Sequence, residues 1–114
     1  MARANPYSLL SAGSGDGDAA VIKATGGMVY SVSATNVNAA VRYLKIYDKA
    51  ASPTVGTDVP DLTIALQPAV TTTVAFPVGV EFSSGIAIAL TTGVADSDTA
   101  AVAANEHVVH VFYA

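Results

Sequence analysis

Valine, isoleucine, threonine and aromatic residues recur along this chain in short runs bounded by Gly, Pro, Asn and Asp, several of them about eight to twelve residues apart. That rhythm predicts short β-strands, and eight runs stand out. The first two are Ala19 to Lys23 and Met28 to Ala34, joined through "ATGG", where Gly26 and Gly27 suit the positive φ of a tight hairpin. The third is "AVRYLKIYD", followed by "KAASPTVGTDVPD", in which Pro53, Gly56 and Pro60 interrupt pairing and predict a long surface connection. Then come Leu62 to Leu66, Val70 to Phe76, Val78 to Phe82, Gly85 to Thr91 and His107 to Tyr113, with Pro68 and Pro77 separating the middle ones. Only "TAAVAAN", Thr99 to Asn105, has helical composition, and Ser97 or Asp98 stands where an N-cap belongs.

Eight short strands with almost no helix predict an all-β fold, because a sheet must bury one face against another sheet or close on itself. The expected architecture is an antiparallel β-sandwich, jelly-roll-like, spanning residues 18 to 114 as one domain. Residues 1 to 17 are rich in Gly, Ser and Asp and lack strand periodicity, so they are expected to form a flexible arm, ordered by a neighbour if at all. No apolar stretch is long enough for a transmembrane helix or a signal-peptide core, and no membrane partner is expected.

The third run carries bulky apolar bodies on both sides. By the two-residue period, Arg42, Leu44 and Ile46 share one face, and Val41, Tyr43, Lys45 and Tyr47 the other. Either the tyrosine face is an exposed interface, or it is the core, with Arg42 pointing to solvent and the connection after Lys49 half-covering Leu44 and Ile46. The last run, with Phe112 and Tyr113, has the same two-sided character. Interface candidates are therefore Arg42, Tyr43, Lys45, Tyr47, Pro53, Phe112 and Tyr113.

Composition sharpens the interface expectation. Charged residues make up only 12% of the chain, half the usual share of about 25%. Twenty-two alanines, sixteen valines and eleven threonines supply nearly half of the rest. A surface so poor in charge is weakly protected against association, and its burial in a homo-oligomer, a dimer or trimer, resolves the difficulty. Nine acids against five bases give a net charge of −4, and the bases form no run that would track phosphates, so nucleic acid is not an expected partner. Without cysteine there is no disulfide, thiolate catalysis or cysteine zinc site.

Candidate chemistry is sparse. Asp96 and Asp98, in "ADSDT", have the alternate spacing of a cation loop, yet an EF-hand frame begun at Asp96 would place Ala100 and Ala101 where an oxygen ligand and a glycine belong, and His107 where an acid belongs. A self-bonded turn explains them better. His107 and His110, three apart in a strand, point to opposite faces and cannot share a metal. There is no G-x-S-x-G elbow, and "SAGSGDG" lacks the ending of a phosphate loop. The reading is a non-enzymatic protein with no cofactor.

The stretches "NAAVRYLKIYDKAASPTVGTDVPDLTIAL" and "FPVGVEFSSGIAIALTTGVADSDTAAVAANEHVVHVFYA" resemble a group of small virion proteins encoded among the structural genes of tailed bacteriophages. The likeness covers about residues 26 to 114. It implies a virion structural protein, made in the bacterial cytoplasm, that decorates and cements the capsid surface through contacts with the major capsid protein and with copies of itself. A tail, baseplate or fibre component is the alternative it implies. It brings no catalytic residues to transfer.

Overall fold

The computed structural model describes residues 3–114, so Met1 and Ala2 of the expected arm lie outside the described residues. Eight strands form two antiparallel four-stranded sheets: β1 (Asn5–Leu10), β2 (Ala20–Lys23), β3 (Gly27–Asn36), β4 (Arg42–Tyr47), β5 (Leu62–Leu66), β6 (Val70–Phe82), β7 (Ile86–Thr91) and β8 (His107–Tyr113). One sheet has the order β1-β8-β3-β6 and the other β2-β7-β4-β5. β1 bonds β8, β2 bonds β7, β3 bonds β6 and β4 bonds β5, which is the nested pairing of a jelly roll. Among the described residues no helix is long and apolar enough to cross a membrane.

The core lies between the sheets. Val29, Val32, Ala34, Val109 and Val111 of the first meet Leu44, Ile46, Leu66, Ile86, Ile88 and Leu90 of the second. Each set follows the two-residue period of its strand, as stacked sheets require, except across the register shift between Val29 and Ser31 of β3. Leu44 and Ile46 therefore point inward, and the Lys45 and Tyr47 side of β4 points away from the core.

Four sequence expectations change. Residues 5–10 are not a free arm: "NPYSLL" alternates, with Tyr7 and Leu9 against the core, and pairs with β8 in a six-residue register. The Gly-, Ser- and Asp-rich stretch that follows masked that short alternation. Val70 to Phe82 is one strand, not two, because β6 is a sheet edge and absorbs Pro77 in a bulge, where Phe76 to Gly79 stand opposite Tyr30 alone. Gly79 has φ 78°, and a Cβ there would stand 2.8 Å from Met28 Cε and 2.9 Å from the Tyr30 ring.

The "ATGG" segment is no hairpin, since β2 and β3 belong to different sheets and the segment crosses between them. Its glycines permit close approach: a Cβ on Gly26 would stand 2.8 Å from the Ser83 carbonyl oxygen, and one on Gly27 2.5 Å from that of Ala114. Thr99 to Asn105 is an extended loop and turn. Val102 plugs into the core, the Ser11 hydroxyl donates to the Ala103 carbonyl, and the Thr92 amide donates to that of Ala100. These anchors outweigh the weak helical preference of so short a segment.

Candidate functional site

The outer face of β2-β7-β4-β5 is roofed by the chain itself. Lys45 is fully buried, and its Nζ donates to the Ala95 carbonyl at 2.6 Å. Tyr47 is buried with Ala87 and Ala89 beneath Val55 and Ala19, and Pro53 is buried in the loop above. Alanine on the outer side of β7 lets these loops lie close. Burial raises the Tyr47 phenol pKa, and the negative charges of Asp58 and Asp96 raise it further. Lys45 and Tyr47 thus belong to the interior of this fold, and Pro53, though buried, stands in the wall of an open recess. Tyr43 is half-buried between Ala65 and Thr91.

Asp98 serves its own loop. Its carboxylate accepts from the Ala100 amide at 2.9 Å, and its amide donates to the Ala95 carbonyl at 3.0 Å. Asp96 is exposed beside it. Among the described residues no three His, Cys, Asp or Glu side chains gather closely enough to hold a metal ion. An open recess of about 430 Å³ lies between Asp16, Ser52, Thr54 and Thr99, with Asp16 its sole titratable lining residue.

A polar cluster closes one end of the sandwich. Arg42 Nε lies 3.5 Å from Glu106 Oε1, and His107 Nδ1 lies 3.9 Å from the same oxygen. Arg42, expected at an interface, is instead engaged here on the core side of β4. Both His107 ring nitrogens lack a hydrogen-bond partner, and its side chain is fully buried. Burial pushes the imidazole pKa down; Glu106 and Asp18 pull it up, and Arg42 adds to the lowering. An imidazole with no exposed atom cannot reach a substrate. Beside it, buried Asn36 donates from Nδ2 to the carbonyls of Ala40 and Leu66, tying β3 to β5 across the sandwich.

The outer face of β1-β8-β3-β6 is built differently. Its strand registers align three rows: Leu10, Val108, Thr35, Thr71; then Ser8, His110, Ser33, Thr73; then Pro6, Phe112, Ser31, Ala75. Positions on the edge strands β1 and β6 are exposed and those on β8 and β3 are half-exposed, so none of the described residues covers them. These twelve positions include no Asp, Glu, Lys or Arg; Glu81 lies on the same side, beyond the β6 bulge. The hydroxyls bond within the face: Thr35 to Thr71 at 2.7 Å, Ser33 to Thr73 at 3.3 Å, and Ser8 to His110 Nδ1 at 2.8 Å.

Of the interface candidates, Phe112 is on this open face, whereas Tyr113 turns inward and packs on the core. The remaining face residues escaped attention because Ser and Thr are unremarkable one at a time. Their signal is paired: "SVSAT" and "TTTVA" set small hydroxyl residues at alternate positions of two strands, with no charge among them. Comparison with protein-family models, with curated proteins and with solved structures finds no match to this chain.

Proposed function

We propose that this protein is a structural component of a tailed-bacteriophage virion, a decoration protein that cements the outside of the capsid. The observation that carries the reading is the uncharged open sheet face. A freely dispersed protein is protected by mixed surface charge, and a face of this extent without any belongs to a molecule that works in an assembly. The resemblance of residues 26 to 114 to small phage virion proteins supports the same assignment. The jelly roll is compatible with it, although that architecture serves many functions and does not choose among them.

In this reading the protein bridges neighbouring major capsid proteins. Each contact removes an ordinary interface area from water, and repetition over the lattice makes individually weak contacts collectively strong. The experiment is a phage carrying a deletion of this gene, compared with its parent. Heads without the protein are expected to break at lower temperature or lower ionic strength, and gold-labelled antibody is expected to decorate parental heads. Unchanged head stability, or label confined to tails, overturns the cement role.

A further inference from the structure

We propose that the open face of the β1-β8-β3-β6 sheet docks a second copy of this chain, face to face about a twofold axis. The inference concerns the isolated protein and does not depend on the virion reading.

Three features select this occupant. First, charge: the twelve positions carry no Asp, Glu, Lys or Arg, so with His110 neutral the face meets its own copy without repulsion although the chain has a net charge of −4. A polyanion finds no Lys or Arg here to neutralise its phosphates, and a charged protein finds nothing to pair with.

Second, desolvation: the Ser8–His110, Ser33–Thr73 and Thr35–Thr71 bonds already pair six side chains within the face. Covering it therefore costs less than covering six unpaired polar groups, and the hydroxyl proton left over in each Ser–Thr or Thr–Thr pair is matched across the contact.

Third, area: strands about 4.8 Å apart, with same-face residues about 6.8 Å apart along each, give the twelve positions a footprint of about 400 Å². Side-chain relief raises the accessible area, and two copies together bury on the order of 1,000 Å², where specific interfaces begin. A twofold axis lying in the face across the strands sets Leu10 and Val108 of one copy over Pro6 and Phe112 of the other. The apolar β1 and β8 ends of the two outer rows then cover each other, and the middle row of Ser8, His110, Ser33 and Thr73 meets its own copy, as an isologous contact requires.

The test is light scattering and sedimentation of the full chain over a concentration series reaching several hundred micromolar, for the wild type, Ser33→Glu, Ser33→Lys and an equimolar mixture of the two variants. The wild type is expected to move from a mass of 11.4 kDa toward twice that value with rising concentration. Each variant alone, with like charges opposed, is expected to dimerise more weakly by on the order of 100-fold, and the mixture to regain the dimer. Thr63→Lys, exposed on the outer side of β5, is expected to behave as wild type. Circular dichroism checks the fold; if either Ser33 variant is unfolded, Thr73→Glu and Thr73→Lys at the exposed edge of the same row replace the pair. A wild type that stays at 11.4 kDa at every concentration overturns the proposal, as does a dimer that survives both single charges.

Discussion

Replacing Ser11 by Ala tests whether the N-terminal segment is an integral part of the sandwich. Ser11 is 1% exposed and joins β1 to the turn before β8. Its hydroxyl donates to the Ala103 carbonyl at 2.8 Å and accepts from the amides of Glu106 and His107, each at 3.0 Å. Its own amide donates to the His107 carbonyl, and its carbonyl accepts from the Asn105 amide. Ser11→Ala preserves those backbone bonds and the side-chain volume almost unchanged, so the loss is confined to three hydrogen bonds. The His107 amide is buried and has no water to turn to, a cost of about 1 to 3 kcal/mol. Glu106 N and Ala103 O lie nearer solvent and each lose about 0.5 kcal/mol net. The sum is about 2 to 4 kcal/mol, or a melting temperature lower by about 8 to 16 °C for a domain of this size. Urea unfolding followed by circular dichroism measures it, at one fixed protein concentration because self-association would add to apparent stability. Ser8→Ala, which removes the exposed bond to His110, is the control and should cost under about 1 kcal/mol. A Ser11→Ala midpoint no lower than that of Ser8→Ala would refute the reasoning and return residues 5–10 to the status of a loose arm.

Two further outcomes follow from the geometry. Gly79→Val places a β-branched residue at φ 78°, against Met28 and the Tyr30 ring, and should cost about 1 to 3 kcal/mol in the same urea assay; a variant as stable as wild type would show that the β6 bulge is not held in this conformation. Acidification should destabilise the protein in two stages. Burial holds the His107 pKa below its ordinary 6.5, so the unfolded chain takes a proton that the folded chain refuses; this contribution is complete above 6.5 and is lost as pH falls toward the folded value. Hydrogen-bond donors hold Asp48 and Asp58 below the ordinary 3.8, so their contribution is complete above that value and is lost as pH falls through the folded values. Urea midpoints from pH 8 to pH 3 measure both stages, and His107→Leu should flatten the upper one; a wild-type midpoint that does not fall between pH 7 and pH 5 contradicts the buried imidazole.

The sandwich was legible because its strands obey the two-residue period closely. "LTIAL" and "HVVHVFY" form β5 and β8 at the residues where alternation puts them. The missing pieces depended on distant partners. β1 is marginal as a sequence and becomes a strand because β8 offers it an edge, and "TAAVAAN" stays extended because Ser11, over ninety residues away, holds Ala103. The third run is two-sided, as its alternation predicts, but local sequence cannot say what covers each side. Leu44 and Ile46 meet the opposite sheet, and the loop expected to lie over them instead covers Tyr47 through Val55. Interface residues chosen for size and aromaticity were therefore drawn mostly from the inside. The open face is hidden in the sequence for the complementary reason: Ser, Thr and Ala carry no signal one at a time until the register of four strands sets them side by side.

That register also gives the low charge of the chain a structural meaning. Few as they are, the charged groups are used mainly to fasten loops. Asp48 accepts from the amides of Ser83, Ser84 and Gly85 and from the Ser83 hydroxyl, while its own amide donates to Asp61. Asp18 accepts from the amides of Ala12 and Ser14, Asp58 takes Lys49 and the Thr54 amide, and Asp98 takes the Ala100 amide. Lys45 holds the Ala95 carbonyl, and Arg42 pairs with Glu106. Almost all of these bonds secure the loops around the second sheet or close the end of the sandwich. The charges roof one sheet and leave twelve positions of the other free of Asp, Glu, Lys and Arg, and a sequence that puts Ser, Thr and Ala on β3 and β6 beside Pro, Ser, Leu, Val, His and Phe on β1 and β8 has removed the usual obstacle to association there. An uncharged face and charges tied down elsewhere are thus one arrangement, and it makes that face, rather than the tyrosines of β4, the surface on which assembly is to be tested.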